Sequence, residues 1–158
     1  MPHLEHGGTL NTMKLLVTLL ASAALAGAAE RRIALKDLPP AVQKTVQDQT
    51  KGAEIKGISK ETENGKTSYE IETMVNGKHR DLDIDAQGAV TEIEDETALD
   101  SLPPAAKAAI QKKAAGGKIG LVETVTRSTA ISYEAGYTDK NGKKHEVRVS
   151  LDGTEIKE

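Results

Sequence analysis

A seven-residue phrase near the start of the chain returns later in the same order, and this recurrence constrains the fold more than any single motif. Leu35-Lys36-Asp37-Leu38-Pro39-Pro40-Ala41 comes back as Leu99-Asp100-Ser101-Leu102-Pro103-Pro104-Ala105, an offset of 64 residues. At that offset Val46 meets Ile110, Ile58 meets Val122, and Tyr69-Glu70 meets Tyr133-Glu134. After one inserted residue, Asn76-Gly77-Lys78 meets Asn141-Gly142-Lys143 and Gly88 meets Gly153, at an offset of 65. An internal repeat of this length sets the architecture before any motif is weighed. The folded part should be two copies of one unit. Residues shared by both copies read as scaffold, and residues found in one copy are the better candidates for function.

Not all of the 158 residues belong to that unit. Met13-Lys14 precedes an apolar run from Leu15 to Ala29 whose small-residue end, Ala26-Gly27-Ala28, suits cleavage on export. The run is too short to span a membrane comfortably. The expectation is therefore an N-terminal extension without fold (1–12), a signal peptide (13–29), and an exported mature protein. No stable membrane anchor should remain after cleavage. The absence of cysteine excludes disulfide staples and thiol chemistry. A net charge of −3, no Phe and no Trp argue against a nucleic-acid surface, which needs basic faces and stacking platforms.

Within each unit the period of the apolar residues changes once. Asp37 and Ser101 read as helix N-caps ahead of Leu38, Val42, Val46 and Leu102, Ala106, Ile110 at helical spacing, with Pro-Pro in the first turn. Helix ends are expected near Gly52 and near Gly116-Gly117. The period then becomes two. Strands are expected over Ile55–Thr62, Thr67–Val75, Lys78–Asp85 and Ala89–Ile93, and again over Ile119–Arg127, Ala130–Thr138, Lys143–Leu151 and Thr154–Lys157. Asn64-Gly65, Asn76-Gly77 and Asn141-Gly142 supply hairpin turns. The fold class is α+β: two tandem repeats, 33–94 and 97–158, each with one N-terminal helix packed on a four-stranded antiparallel sheet. Glu94 to Ala98 reads as a short acidic linker.

Tyr69-Glu70-Ile71-Glu72, Asn76-Gly77-Lys78, Leu82-Asp83-Ile84-Asp85 and Gly88-Ala89-Val90 together resemble the PepSY pattern. Tyr133-Glu134, Gly142-Lys143, Val147-Arg148-Val149 and Asp152-Gly153 repeat it. Tandem copies behind a signal peptide are similar to the PepSY-like family grouped with beta-lactamase-inhibitor-like proteins. The resemblance implies a bacterial, non-catalytic module, exported to the periplasm or secreted, that binds protein, with restraint of a secreted peptidase or another envelope enzyme as its sharper form. The beta-lactamase inhibitory protein grips its enzyme with a concave sheet surface. This chain lacks that inhibitor's disulfides and the aromatic anchors of tight interfaces.

The clearest difference between the copies is an acidic strand. Asp81, Asp83 and Asp85, with Glu70 and Glu72 expected on the neighbouring strand, form a negative patch suited to a basic partner. A solvated outer sheet face is the ordinary alternative. Asp81, Asp83, Asp85 and Glu92 also fall at EF-hand positions 1, 3, 5 and 12, but Ala86 replaces the required glycine and the flanks read as strands. Looser cation binding by the three aspartates, helped by Glu70 or Glu72, is the rival reading, in a cation-binding or envelope stress protein. No metal-ligand set, no cofactor and no catalytic constellation is assigned. His79 and His145 occupy non-equivalent positions and lack further ligands at metal spacing. Tyr69 and Tyr133 recur and read as scaffold, whereas Tyr137 has Thr73 as its counterpart and is a candidate contact residue.

Overall fold

The computed structural model describes residues 31–157, so the expected N-terminal extension and signal segment lie outside the described residues. The strands are β1 (Arg31–Arg32), β2 (Glu54–Glu63), β3 (Lys66–Val75), β4 (Lys78–Asp85), β5 (Val90–Glu96), β6 (Lys118–Arg127), β7 (Ala130–Thr138), β8 (Lys144–Ser150) and β9 (Glu155–Ile156). They form one nine-stranded antiparallel sheet in chain order. Helix α1 (Pro40–Gln49) precedes β2, and helix α2 (Pro104–Ala114) precedes β6.

The helices start later than the N-cap reading of Asp37 and Ser101 requires. Those residues lie in short 3-10 turns, Leu35–Asp37 and Leu99–Ser101, and the helix N-caps are Pro39 and Pro103 without a side-chain bond. A proline clashes with a helical residue before it. Leu38 and Leu102 are accordingly extended, at ψ 154° and 153°, and so are Pro39 and Pro103, at ψ 145° and 141°. The side chain of Gln43 braces the first entry by donating to the Leu38 carbonyl at 2.8 Å. At the far end, Ala115 and Gly116 both take positive φ and stop α2.

The apolar residues gather in two clusters. Leu38, Val42, Val46, Ile58, Ile71, Leu82 and Ile84 form the heart of one. Leu102, Ala106, Ile110, Val122, Ala135, Val147 and Val149 form the other. Residue for residue these sets correspond at offsets of 64 and then 65. Both lie on the same face of the sheet. Leu82 pairs with Ile93, Ile93 pairs with Thr126, and the alternation along β6 carries that face to Val122. The helices thus cover one face, and among the described residues the other face carries no helix. None of these helices is long and apolar enough to cross a membrane.

Glu94, Asp95 and Glu96 are not a linker. They complete β5, and Ile93 to Glu96 pair with Thr126 to Glu123 on β6. This pairing joins the two halves into a single sheet. Near the start of the first strand after each helix, the register shifts between Ile55 and Gly57 and between Ile119 and Val122. Such bulges increase local twist.

Two glycines fix how closely the helices approach the sheet. Gly88 and Gly153 have φ of 88° and 84°, and a Cβ would lie 2.9 Å from the Ala41 carbonyl at the first and 2.6 Å from the Ala105 oxygen at the second. The close approach also lets the Thr45 hydroxyl donate to the Gly88 carbonyl at 2.6 Å. Gly88→Ala and Gly153→Ala should each destabilise the protein by about 2 kcal/mol or more, from left-handed strain plus backbone contact. Gly65→Ala, with nothing within 4 Å of its Cβ position, should lose only the strain part, roughly 1 kcal/mol. Urea unfolding of the three variants measures the difference.

Candidate functional site

The period of two that sends Ile71, Leu82, Val122 and Val147 into the cores sends the intervening residues to the helix-free face. Acids dominate there. Across the sheet Glu70 pairs with Asp83 and Asp83 with Glu92. Glu72 pairs with Asp81 and Asp81 with Glu94. Glu96 pairs with Glu123, Glu123 with Glu134, and Glu134 with Arg148. Like charges directly opposite one another on adjacent strands repel. The crowding is aggravated by burial: Asp81 and Glu123 are each 3% exposed and Glu92 is 4% exposed.

Arg148, 9% exposed, is the cation at the centre of this face. Its Nε donates to Glu134 Oε2 at 2.7 Å, and its Nη2 donates to Glu92 Oε1 at 2.9 Å and Glu94 Oε1 at 3.0 Å. Arg127 Nε reaches Glu92 Oε2 at 2.5 Å, and Arg32 Nη2 reaches Glu72 Oε1 at 2.8 Å. Two acids are eased by neutral donors. The Thr73 backbone N–H donates to Asp81 Oδ1 at 2.9 Å, and the Ser59 hydroxyl donates to Glu70 Oε2 at 3.0 Å. Glu123 Oε1 is buried with no hydrogen-bond partner. Carboxylate oxygens of Asp81, Glu94 and Glu123 lie within 4.8 Å of one another.

The acids respond by holding protons. Burial, reinforced by Asp83, raises Glu70 to about 7. Burial, reinforced by Glu92, raises Asp83 to about 7. Burial raises Asp81 to about 6 against the opposing Thr73 N–H, and burial with the Asp81 charge raises Glu123 to about 8. Burial with the charges of Glu134 and Glu123 pushes Glu94 far above the carboxylate range. Burial works against the Arg148 charge, but Glu134 and Glu92 outweigh it and hold the guanidinium protonated.

The structure brings Glu70, Glu72, Asp81 and Asp83 together, and it leaves out the other two candidates. Asp85 Oδ1 accepts the backbone N–H groups of Gln87 and Ala89, each at 2.9 Å, and so serves the turn after β4. Tyr137 lies on the helix-covered face, packed on the second core and stacked on His145 with ring centroids 5.1 Å apart. The face is also less solvated than an ordinary outer face, because Asp81 is buried. Glu94, Glu96, Glu123, Glu134 and Arg148 are members of the site that the sequence reading does not include, and Glu92 enters that reading only through its EF-hand spacing. Their signal was the alternation of Glu92, Glu94 and Glu96, visible only once 94–96 are read as strand.

No family model matches the chain, and none of the curated proteins does. Solved structures do share its fold. A Bacteroides eggerthii protein described as periplasmic is 16% identical, with a TM-score of 0.60 over 76% of this chain and 86% of that one. A DUF2874 family protein from Bacteroides uniformis is 19% identical, with a TM-score of 0.58 over 75% of this chain and 86% of that one. A BLIP-like protein from Bacteroides fragilis is 18% identical, with a TM-score of 0.52 over 76% of this chain and 84% of that one.

Two measurements test the electrostatics. Acids whose folded pKa is raised bind more protons folded than unfolded, so stability falls as pH rises through the window between the two values. In chelator-treated protein, stability should therefore drop by about 1 kcal/mol or more between pH 5 and pH 8, read by urea unfolding. Arg148→Ala leaves Glu92, Glu94 and Glu134 buried without their shared cation. It should cost about 3–5 kcal/mol, read the same way.

Proposed function

We propose that this chain is an exported, non-catalytic protein-binding module that holds a basic segment of its partner against the helix-free face. One observation carries the reading. The half-buried carboxylates of Glu70 and Asp83 pair across β3 and β4 in a field of like charge from Glu61, Glu72 and Glu92. A lysine- or arginine-bearing segment laid on that face relieves the repulsion, so binding is favoured by charges already in place. Export follows from the apolar segment ahead of Ala29 and accords with the periplasmic description of the Bacteroides eggerthii protein of like fold. The duplicated helix-and-four-strand unit, the PepSY resemblance and the fold shared with a BLIP-like protein extend the proposal. In its sharper form the partner is a peptidase or another cell-envelope enzyme, and binding restrains it.

The test has two stages. The mature protein is used as bait in a periplasmic extract, and any captured enzyme is assayed with and without it. The captured partner's affinity is then measured against salt. Affinity should fall about tenfold when NaCl rises from about 50 to about 500 mM. The Glu70→Gln/Asp83→Asn double variant should lose a similar factor while remaining folded. A partner that binds this variant as tightly as the native protein, with no salt dependence, overturns the reading.

A further inference from the structure

Three of the acids have an arrangement that a basic peptide does not account for. Asp81 on β4, Glu94 on β5 and Glu123 on β6 sit on consecutive strands. Each offers a carboxylate oxygen within 4.8 Å of the other two. Asp81 and Glu123 are each 3% exposed, so their carboxylates lie below the surface on which a peptide would rest.

Glu123 is the decisive residue. Its position corresponds, at the 64-residue offset, to Ser59 in the first half. Ser59 is fully buried and donates a hydrogen bond to Glu70, so that position in the first half is satisfied by a neutral hydroxyl. The second half places a carboxylate there, opposite Glu134 on one side and Glu96 on the other. Its Oε1 is buried without any hydrogen-bond partner. An unpaired buried acceptor costs roughly 1–3 kcal/mol, and more when charged. Arg148 donates hydrogen bonds to Glu92, Glu94 and Glu134, and Glu123 Oε1 remains without a donor.

We propose that Asp81, Glu94 and Glu123 form a binding site for a hard divalent cation of the calcium and magnesium class. The donors are carboxylate oxygens alone, which suit these ions rather than the thiolate- and imidazole-seeking metals. The outer contacts fix two of the ligands in place. The Thr73 N–H holds Asp81, and Arg148 Nη2 holds Glu94. An ion at this point supplies the positive charge that Glu123 lacks. It also ties β4 and β5 to β6, across the seam where the two halves meet. The site is independent of the protein-binding reading: either can fail while the other stands.

The test uses the mature protein stripped with chelator and dialysed, titrated separately with calcium chloride and magnesium chloride by calorimetry. Unfolding is followed in parallel by circular dichroism. The expected result is one ion bound per chain, with a Kd of about 1 mM or tighter for at least one ion. Saturation should raise Tm by about 5 °C. Whichever ion gives the response identifies the member of the class. Glu123→Gln should abolish both the heat and the Tm rise. Asp81→Asn provides a second variant at an independent ligand. Glu63→Gln, at the exposed end of β2, should respond like the native protein. No heat and no Tm change with either ion overturns the proposal. So does an undiminished response in both Glu123→Gln and Asp81→Asn.

Discussion

Four consecutive residues of β5, Ile93 to Glu96, pair with Thr126 to Glu123 of β6, and the helix-free face depends on that seam. Each half on its own would present a modest set of acids. Joined edge to edge, they place Glu92, Glu94 and Glu96 of the first half beside Glu123, Glu134 and Arg148 of the second. The seam also covers two strand edges that would otherwise expose unpaired backbone groups. The backbone pairing is favourable, and the charges it brings together oppose one another.

The opposition is partly resolved within the face. Arg148 stands where the first half has Asp83, at the 65-residue offset, and this reversal of sign places a cation at the centre. Its guanidinium spans from β8 to Glu134 on β7 and to Glu92 and Glu94 on β5. The fork geometry suits several carboxylates at once. The remaining repulsion is relieved by proton uptake at Glu70, Asp83, Glu94 and Glu123. A face that retains protons near neutral pH is poised to exchange them for another cation, whether a basic side chain or a metal ion.

Much of this was legible in the chain. Every expected strand is present within a few residues, and the paired cores were visible as Leu38/Leu102, Val42/Ala106 and Val46/Ile110. Local rules govern these features: apolar period, turn chemistry and the stop signals after each helix. The N-caps were misplaced because Asp37 and Ser101 satisfy the composition of a cap, while the prolines that follow keep Leu38 and Leu102 out of helical geometry. The acidic run from Glu94 was misread because charge without apolar residues resembles a linker, although it alternates faces as a strand does. Tyr137 stands out in the chain as unique to one repeat, whereas its place on the helix-covered face follows from the register of β7. Its ring packs on the second core.

The sequence alone determined the elements, their order and the two hydrophobic clusters, because those follow from periodicities within a dozen residues and from a repeat that states them twice. Only the tertiary structure decided which carboxylates face one another. Asp81, Glu94 and Glu123 are scattered along the chain and come together through the register of two strand pairings. Register across β5 and β6 is a long-range property, set by backbone hydrogen bonds between segments that carry no shared motif. Burial then turns that proximity into chemistry, since the same acids spread over an exposed face would be screened by water.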